Sequence, residues 1–201
     1  MFFTSIIDLD KAIIISRVAE ILKETPSAQE VVKQGKNRQK RFDYLATHMV
    51  NKAIEEDALI LSEDASGIAI LFKMNASKKT LQDRIDELKL VWNVTGFKNA
   101  LKILDKQKYI KNQRPQTGDY LYCWFWGITK NSRGADTQIG KEMKDEFLRR
   151  ADKDNIPLYA ETAIRKNAIV YQKFGFELFH TWKREDGSKM WFLRYLPNQK
   201  G

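Results

Sequence analysis

A run of aromatic and β-branched residues at positions 120–129, YLYCWFWGIT, is the feature that most constrains the fold of this chain. Such a run is typical of a buried β-strand, because these side chains pack well on a pleated sheet. A polar loop with two glycines follows at 133–140, and the next segment, 141–151, has Met143, Phe147 and Leu148 at helical spacing. The order strand, loop and helix predicts a mixed α/β fold.

The rest of the sequence divides into short helical and strand segments, with turn residues between many of them. In the N-terminal half we predict helices at 9–23, 42–54, 81–92 and 97–105, a break at 25–27, and a hairpin of strands 58–61 and 68–72. In the C-terminal half we predict a strand at 157–162, a helix at 167–174 and a hairpin of strands 176–182 and 189–195. No linker divides the chain, which predicts a single domain over 1–201, with a helical part at 8–56 and a second half at 118–196.

Charge and composition limit the classes of function. The 35 Lys and Arg residues exceed the 26 Asp and Glu residues, which gives a net charge of +9 and favours an anionic partner. Basic residues alternate with acidic ones, and no nucleic-acid-binding motif is present, so we predict no specific nucleic-acid partner. The single cysteine excludes a disulfide framework and a cysteine zinc cluster, and His48 and His180 lack ligand spacing, so no metal site is expected. With no signal peptide and no apolar stretch of spanning length, we predict a cytoplasmic protein and no membrane contact.

The loop before the predicted helix at 141–151 has the chemistry of an anion site. A loop that turns into a helix N-terminus presents unpaired backbone N–H groups, and the helix dipole adds partial positive charge. Gly134 and Gly140 would let the backbone approach a ligand closely. Phosphate is the most natural occupant of such a site. The alternative is an ordinary turn in which Asp136 or Thr137 caps the helix.

A second pattern lies at 167–176, NAIVYQKFGF. Asn167 and Tyr171 are four residues apart and share a helix face, Gly175 suits a helix C-terminus, and Phe176 begins a strand. The alternative interpretation is structural, with Tyr171 packed in the core and Asn167 capping the helix.

Together, these two patterns resemble the GNAT superfamily of acetyl-CoA-dependent N-acetyltransferases. The segment 127–141 resembles the strand and pyrophosphate loop of that family, and 167–176 resembles its Asn-x-x-x-Tyr-x-x-x-Gly-Phe segment. The likeness covers about 120–195, and the Glu161-Thr162 pair is similar to the puromycin-acetyltransferase-like group. The resemblance implies a mixed, mostly antiparallel sheet with splayed central strands and helices on both faces.

The resemblance also implies a mechanism, in which acetyl-CoA enters the gap between the splayed strands and an amine attacks the thioester directly. Tyr171 would protonate the departing thiolate, and Glu161 is the candidate general base. An equally weighted alternative makes Glu161 a solvated or structurally hydrogen-bonded carboxylate. The positions implied in cofactor binding are Gly127, Ile128, Thr129, Arg133, Gly134, Gln138, Ile139, Gly140, Lys141 and Asn167.

The pyrophosphate loop departs from the family pattern, because five residues separate Gly134 from Gly140. Either the loop carries an insertion after Gly134, or the pattern begins later, with Ala135 in its first position and Gln138 in place of the middle glycine. This departure keeps a second function open, that of a non-catalytic acyl-CoA-binding module. The acceptor amine, a small molecule or a peptide, is not identified by the sequence, and a homodimer is compatible with it.

Overall fold

The computed structural model describes residues 11–75, 90, 93–95, 97–134 and 138–197. The first described range contains three helices: α1 (Lys11–Glu24), α2 (Pro26–Val31) and α3 (Arg38–Glu55). The predicted break at 25–27 does end α1, but Pro26 also begins α2, which the sequence analysis missed. Proline is tolerated in the first helical turn because its missing N–H would have no intrahelical partner there.

A six-stranded sheet forms the centre of the fold, in the order β1-β2-β3-β4-β6-β5. Its strands are β1 (Leu59–Leu61), β2 (Gly67–Met74), β3 (Tyr120–Ile128), β4 (Leu158–Thr162), β5 (Glu177–Lys183) and β6 (Lys189–Tyr195). Of the neighbouring pairs in this described sheet, β3 and β4 are parallel and the others are antiparallel. Both predicted hairpins, β1–β2 and β5–β6, are present, and the mostly antiparallel mixed sheet is confirmed.

Further helices are α4 (Phe97–Asn112), α5 (Ile139–Asp154) and α6 (Arg165–Lys173), and a short 3-10 turn occupies Lys130–Ser132. Helix α4 continues well beyond the predicted end at 105. The predicted helix at 81–92 lies outside the described residues apart from position 90. Among the described residues, no helix combines the length and the apolar character that a membrane crossing needs.

Apolar side chains fill both faces of the sheet. On one face α1 and α3 bury Val18 and Val50 against Ile70 and Phe125. On the other face α5 and α6 bury residues such as Phe147 against Leu158 and Leu193. The predicted arrangement, with helices on both faces, is therefore confirmed.

Candidate active site

The parallel strands β3 and β4 separate soon after they meet. Their register contains two pairs, Leu121 with Leu158 and Tyr122 with Tyr159. Beyond these two pairs β3 continues to Ile128 and β4 to Thr162 with no further pairing between them in the register, so a gap lies between the two strands there. The sheet has the splayed central strands that the sequence implied.

An extra residue in β3 changes which side chains face each side of this gap. Cys123 pairs with Leu71 and Phe125 pairs with Ile70, so Trp124 is a β-bulge. Trp124 and Phe125 both pack toward the N-terminal helices. Cys123 and Trp126 therefore share the opposite face, with α5 and α6.

The end of β3 leaves backbone groups facing the gap. The N–H of Thr129 donates to the Ser66 carbonyl at 2.8 Å, on the β2 side. Because backbone direction alternates along a strand, the N–H and C=O of Ile128 point the other way. The Ile128 carbonyl accepts a hydrogen bond from Arg133 Nε at 2.7 Å. Gly127 has a packing reason besides its predicted role, since a Cβ there would collide with the Ile21 side chain of α1.

Helix α5 begins next to this strand end. Gln138 occupies the N-cap position without a side-chain capping bond, and Ile139, Gly140 and Lys141 form the first turn. The N–H groups of a first helical turn lack intrahelical acceptors and can donate to an anion. A Cβ on Gly140 would lie 3.9 Å from Ile128 Cδ1, and one on Gly134 would meet no atom of the described residues within 4 Å, so neither backbone position is crowded by them.

The predicted phosphate loop contains Arg133, whose side-chain contacts are described, and positions 135–137, which are not described. Arg133 forms an ion pair with Glu24 of α1 in addition to its bond to Ile128. Its guanidinium is thus held by the protein itself. Positions 135–137 lie outside the described residues, so the capping alternative and the two loop registers stay predictions.

Tyr171 lies on the buried face of α6 and reaches the side of the gap that contains Cys123. Its ring packs against Trp126 and Phe176 at centroid distances of 5.5 Å and 5.1 Å, and its hydroxyl lies 3.7 Å from Cys123 Sγ. Burial raises the pKa of the Tyr171 phenol well above its usual value, and Cys123 and Glu161 add to this rise. Burial also raises the pKa of the Cys123 thiol to about 12. The phenol therefore stays protonated near neutral pH and can serve as a proton donor.

The ends of α6 distinguish between the two interpretations of 167–176. Asn167 is exposed in the first turn and is not the helix cap, since the N-cap residue is Ile164, whose N–H donates to Thr162 Oγ1 at 3.1 Å. Gly175 adopts a φ of +90° and ends the helix as predicted. The capping alternative for Asn167 is thus wrong, whereas Tyr171 does pack in the core.

Glu161 lies on β4 but on the opposite face of the sheet, beside the β3 residue Tyr122. The Tyr122 hydroxyl donates a hydrogen bond to Glu161 Oε1. Burial raises the pKa of the Glu161 carboxyl, while the positive charge of Arg114 and the bond from Tyr122 hold back part of the rise. A carboxylate with a raised pKa is a stronger base than an exposed one.

Sequence reasoning missed Tyr122 and Arg114. Period-two alternation along β3 could have placed Tyr122 on the Glu161 face, but no local pattern marks Arg114. Trp126 is half-buried between Phe147 and Tyr171, and its indole Nε1–H is buried without a hydrogen-bond partner among the described residues. Within the same described ranges, no group of three His, Cys, Asp or Glu side chains is arranged to hold a metal ion.

Comparison with known proteins finds similarity in structure and none in sequence. No family model matches the sequence, and no curated protein matches it. A structure described as histone acetyltransferase HPA2 and related acetyltransferase, from Corynebacterium glutamicum, matches with a TM-score of 0.64 and 14% identity, over 99% of this chain and 96% of that chain.

Two further solved structures match over almost their whole length. Arylalkylamine N-acetyltransferase 2 from Aedes aegypti has a TM-score of 0.66 and 12% identity, over 98% of both chains. A GNAT-family acetyltransferase from Desulfovibrio desulfuricans has a TM-score of 0.51 and 13% identity, also over 98% of both chains. With its splayed β3 and β4 and its helices on both faces, the chain has the fold of the GNAT superfamily of acetyltransferases.

Proposed function

We propose that this protein is an N-acetyltransferase that transfers the acetyl group of acetyl-CoA to a primary amine. The observation that carries the proposal is the gap between β3 and β4, with a buried phenol, Tyr171, on one face of the sheet and a half-buried carboxyl, Glu161, on the other. The solved structures with this fold include acetyltransferases, one of them an arylalkylamine N-acetyltransferase, which supports the same chemistry here.

The cofactor would bind where β3 ends and α5 begins. The backbone at 127–129 borders the gap, where an extended pantetheine arm could pair with the free strand edge as a third strand would. The diphosphate would accept hydrogen bonds from the first-turn N–H groups of α5 near Gly140 and Lys141. Asn167, exposed in the first turn of α6, would contact the cofactor arm. The net charge of +9 favours such an anionic ligand.

The reaction needs one proton removed from the amine and one delivered to the thiolate. The neutral amine nitrogen bonds to the thioester carbon, Glu161 takes one proton from that nitrogen, and a backbone N–H near Ile128 stabilises the oxyanion. The carbon–sulfur bond then breaks, and Tyr171 gives its proton to the sulfur. The products are the N-acetyl amine and CoA with a free thiol.

The experiment that tests this proposal measures free thiol after acetyl-CoA is mixed with a panel of primary amines and peptides. We expect thiol release that depends on both substrates, and coenzyme A binding measured by calorimetry in the absence of amine. Release that is the same without amine would contradict amine acetylation.

A second function has one structural observation in its favour. Arg133 is bound to Glu24 and to the Ile128 carbonyl, so its guanidinium is not presented freely to a diphosphate. This fits a module that binds acyl-CoA without transferring the acyl group. Coenzyme A binding with no transfer to any amine of the panel would favour that module over the enzyme.

Three broader expectations accompany the proposal. Residues 1–201 would form one domain, and the protein would act in the cytoplasm. A homodimer is compatible with the sequence, and sedimentation measures whether it forms. No nucleic acid, membrane or metal ion takes part in the proposed reaction.

A further inference from the structure

A buried arginine lies just beyond the C-terminal end of α4. Arg114 exposes only 9% of its surface, and its Nε is buried without a hydrogen-bond partner among the described residues. Its guanidinium carbon lies 3.7 Å from the centre of the Tyr122 ring. A guanidinium buried at this depth loses much of its hydration, so stacking on a ring face is one of the few interactions that offset the cost.

The ring under Arg114 is the one that holds Glu161. Tyr122 is itself buried, and its hydroxyl donates to Glu161 Oε1 across the parallel pair of β3 and β4. Guanidinium, phenol and carboxylate thus form a continuous chain of contacts from the end of α4 to the gap. A cation over the face of a phenol makes its hydroxyl a stronger hydrogen-bond donor, because it draws electron density from the ring.

Other charged and titratable groups also face Glu161, and they separate into two kinds. Lys106 of α4 carries a positive charge but is paired with Glu30 at 2.6 Å. The remaining groups are neutral when protonated. They are Tyr120 and Tyr122 of β3, and, from the other face of the sheet, Cys123 of β3 and Tyr171 of α6. Arg114 is therefore the main positive charge that opposes the effect of burial on the Glu161 carboxyl.

We propose that Arg114 is a positioning residue of the acetyl-transfer reaction, which stacks on Tyr122, fixes its hydroxyl against Glu161, and so keeps that carboxyl ionised and aimed at the gap. The inference rests on the proposed function in one respect, the role of Glu161 as general base. The contacts that link Arg114 to Glu161 are independent of that role.

The experiment follows the Glu161 carboxyl directly, by a carbon NMR titration of protein labelled at the glutamate carboxyl carbons. Glu161→Gln assigns the signal. In Arg114→Met, which keeps the apolar stem and removes the charge, the titration midpoint should rise by about one pH unit, the lower end of the effect of a neighbouring opposite charge. Arg114→Lys restores the charge without the planar stack and should give an intermediate midpoint.

Arg38→Met provides a matched control. Arg38 also lies over an aromatic ring, with its guanidinium carbon 5.4 Å from the centre of the Phe42 ring, and its Nε is buried with no hydrogen-bond partner in the part of the chain that the structure describes. It lies at the start of α3, and the groups that shift the pKa of Glu161 do not include it. We expect an unchanged midpoint in this variant.

A second variant, Tyr122→Phe, tests whether Arg114 acts through the phenol. The effect of Arg114→Met should be smaller in the Tyr122→Phe background than in the natural protein, because the hydroxyl that transmits it is gone. Equal effects in both backgrounds would contradict transmission through Tyr122. An unchanged midpoint in Arg114→Met would overturn the whole inference.

The pH dependence of kcat/KM separates this inference from the proposed function. The acidic limb should move by the same amount as the NMR midpoint when Arg114 becomes Met. If the midpoint moves and the limb does not, the link between Arg114 and Glu161 stands, while Glu161 is not the base and Arg114 has no part in positioning it for catalysis.

Discussion

Replacing Tyr171 by Phe removes one oxygen atom from the candidate site and keeps the packing of the ring. The ring contacts with Trp126 and Phe176 do not involve the hydroxyl, whose neighbour is Cys123 Sγ at 3.7 Å. A thiol is a weak hydrogen-bonding partner, so the free energy of unfolding should change by less than about 1 kcal/mol. Thermal unfolding of both proteins measures this change.

The same substitution should have a large effect on the chemical step. A positioned general acid contributes roughly 100- to 10,000-fold to a rate, so kcat of Tyr171→Phe should fall by at least about 100-fold. Coenzyme A affinity should change by less than about twofold, because the lost group acts on the leaving sulfur and adds little ground-state binding. Thiol release at saturating acetyl-CoA gives the first value, and calorimetry gives the second.

Tyr195→Phe is the matched control for this prediction. The Tyr195 hydroxyl donates to Asp152 Oδ1 at 2.9 Å on the protein surface, so its loss should leave kcat unchanged. A Tyr171→Phe protein that keeps the full rate at every pH would refute the assignment of Tyr171 as the acid. A fall in affinity that matches the fall in rate would show instead that the hydroxyl binds the cofactor.

Three other substitutions test separate parts of the site. Glu161→Gln should lower kcat/KM by at least about 100-fold. The natural protein should lose activity as the pH falls through the raised pKa of the Glu161 carboxyl, because only the ionised form accepts a proton. A pH–rate profile of both proteins measures the two effects. Gly127→Ala should destabilise the fold by about 1–3 kcal/mol in thermal unfolding, since the added Cβ meets Ile21, and an unchanged melting temperature would contradict that contact. Gly140→Asp should weaken coenzyme A binding by about tenfold or more in calorimetry, because it places a carboxylate beside the diphosphate, whereas unaltered affinity would place the diphosphate elsewhere.

Local pattern was sufficient to predict most of the elements that form the site. The aromatic run of β3, the glycine at 175 and the turn between β5 and β6 each follow from the preferences of neighbouring residues. The resemblance implied the mostly antiparallel sheet and its two splayed central strands, but nothing in the sequence predicted the full strand order. It depends on contacts between distant segments, which no local preference encodes.

The parts of the site that sequence reasoning missed share a physical cause. The bulge at Trp124 depends on the register between β2 and β3, and a one-residue shift changes which side chains face the gap. The contact of Arg114 with Tyr122, and of Tyr122 with Glu161, joins three different segments of the chain. The helix at Pro26 was missed for a different reason, since proline both ends one helix and suits the first turn of the next.

A crystal structure of the protein with coenzyme A tests the central claim most directly. The account predicts the pantetheine arm between β3 and β4, the diphosphate on the first turn of α5, and the sulfur within hydrogen-bonding distance of the Tyr171 hydroxyl. A cofactor bound elsewhere, or a sulfur remote from that phenol while the gap is filled by side chains, would contradict it.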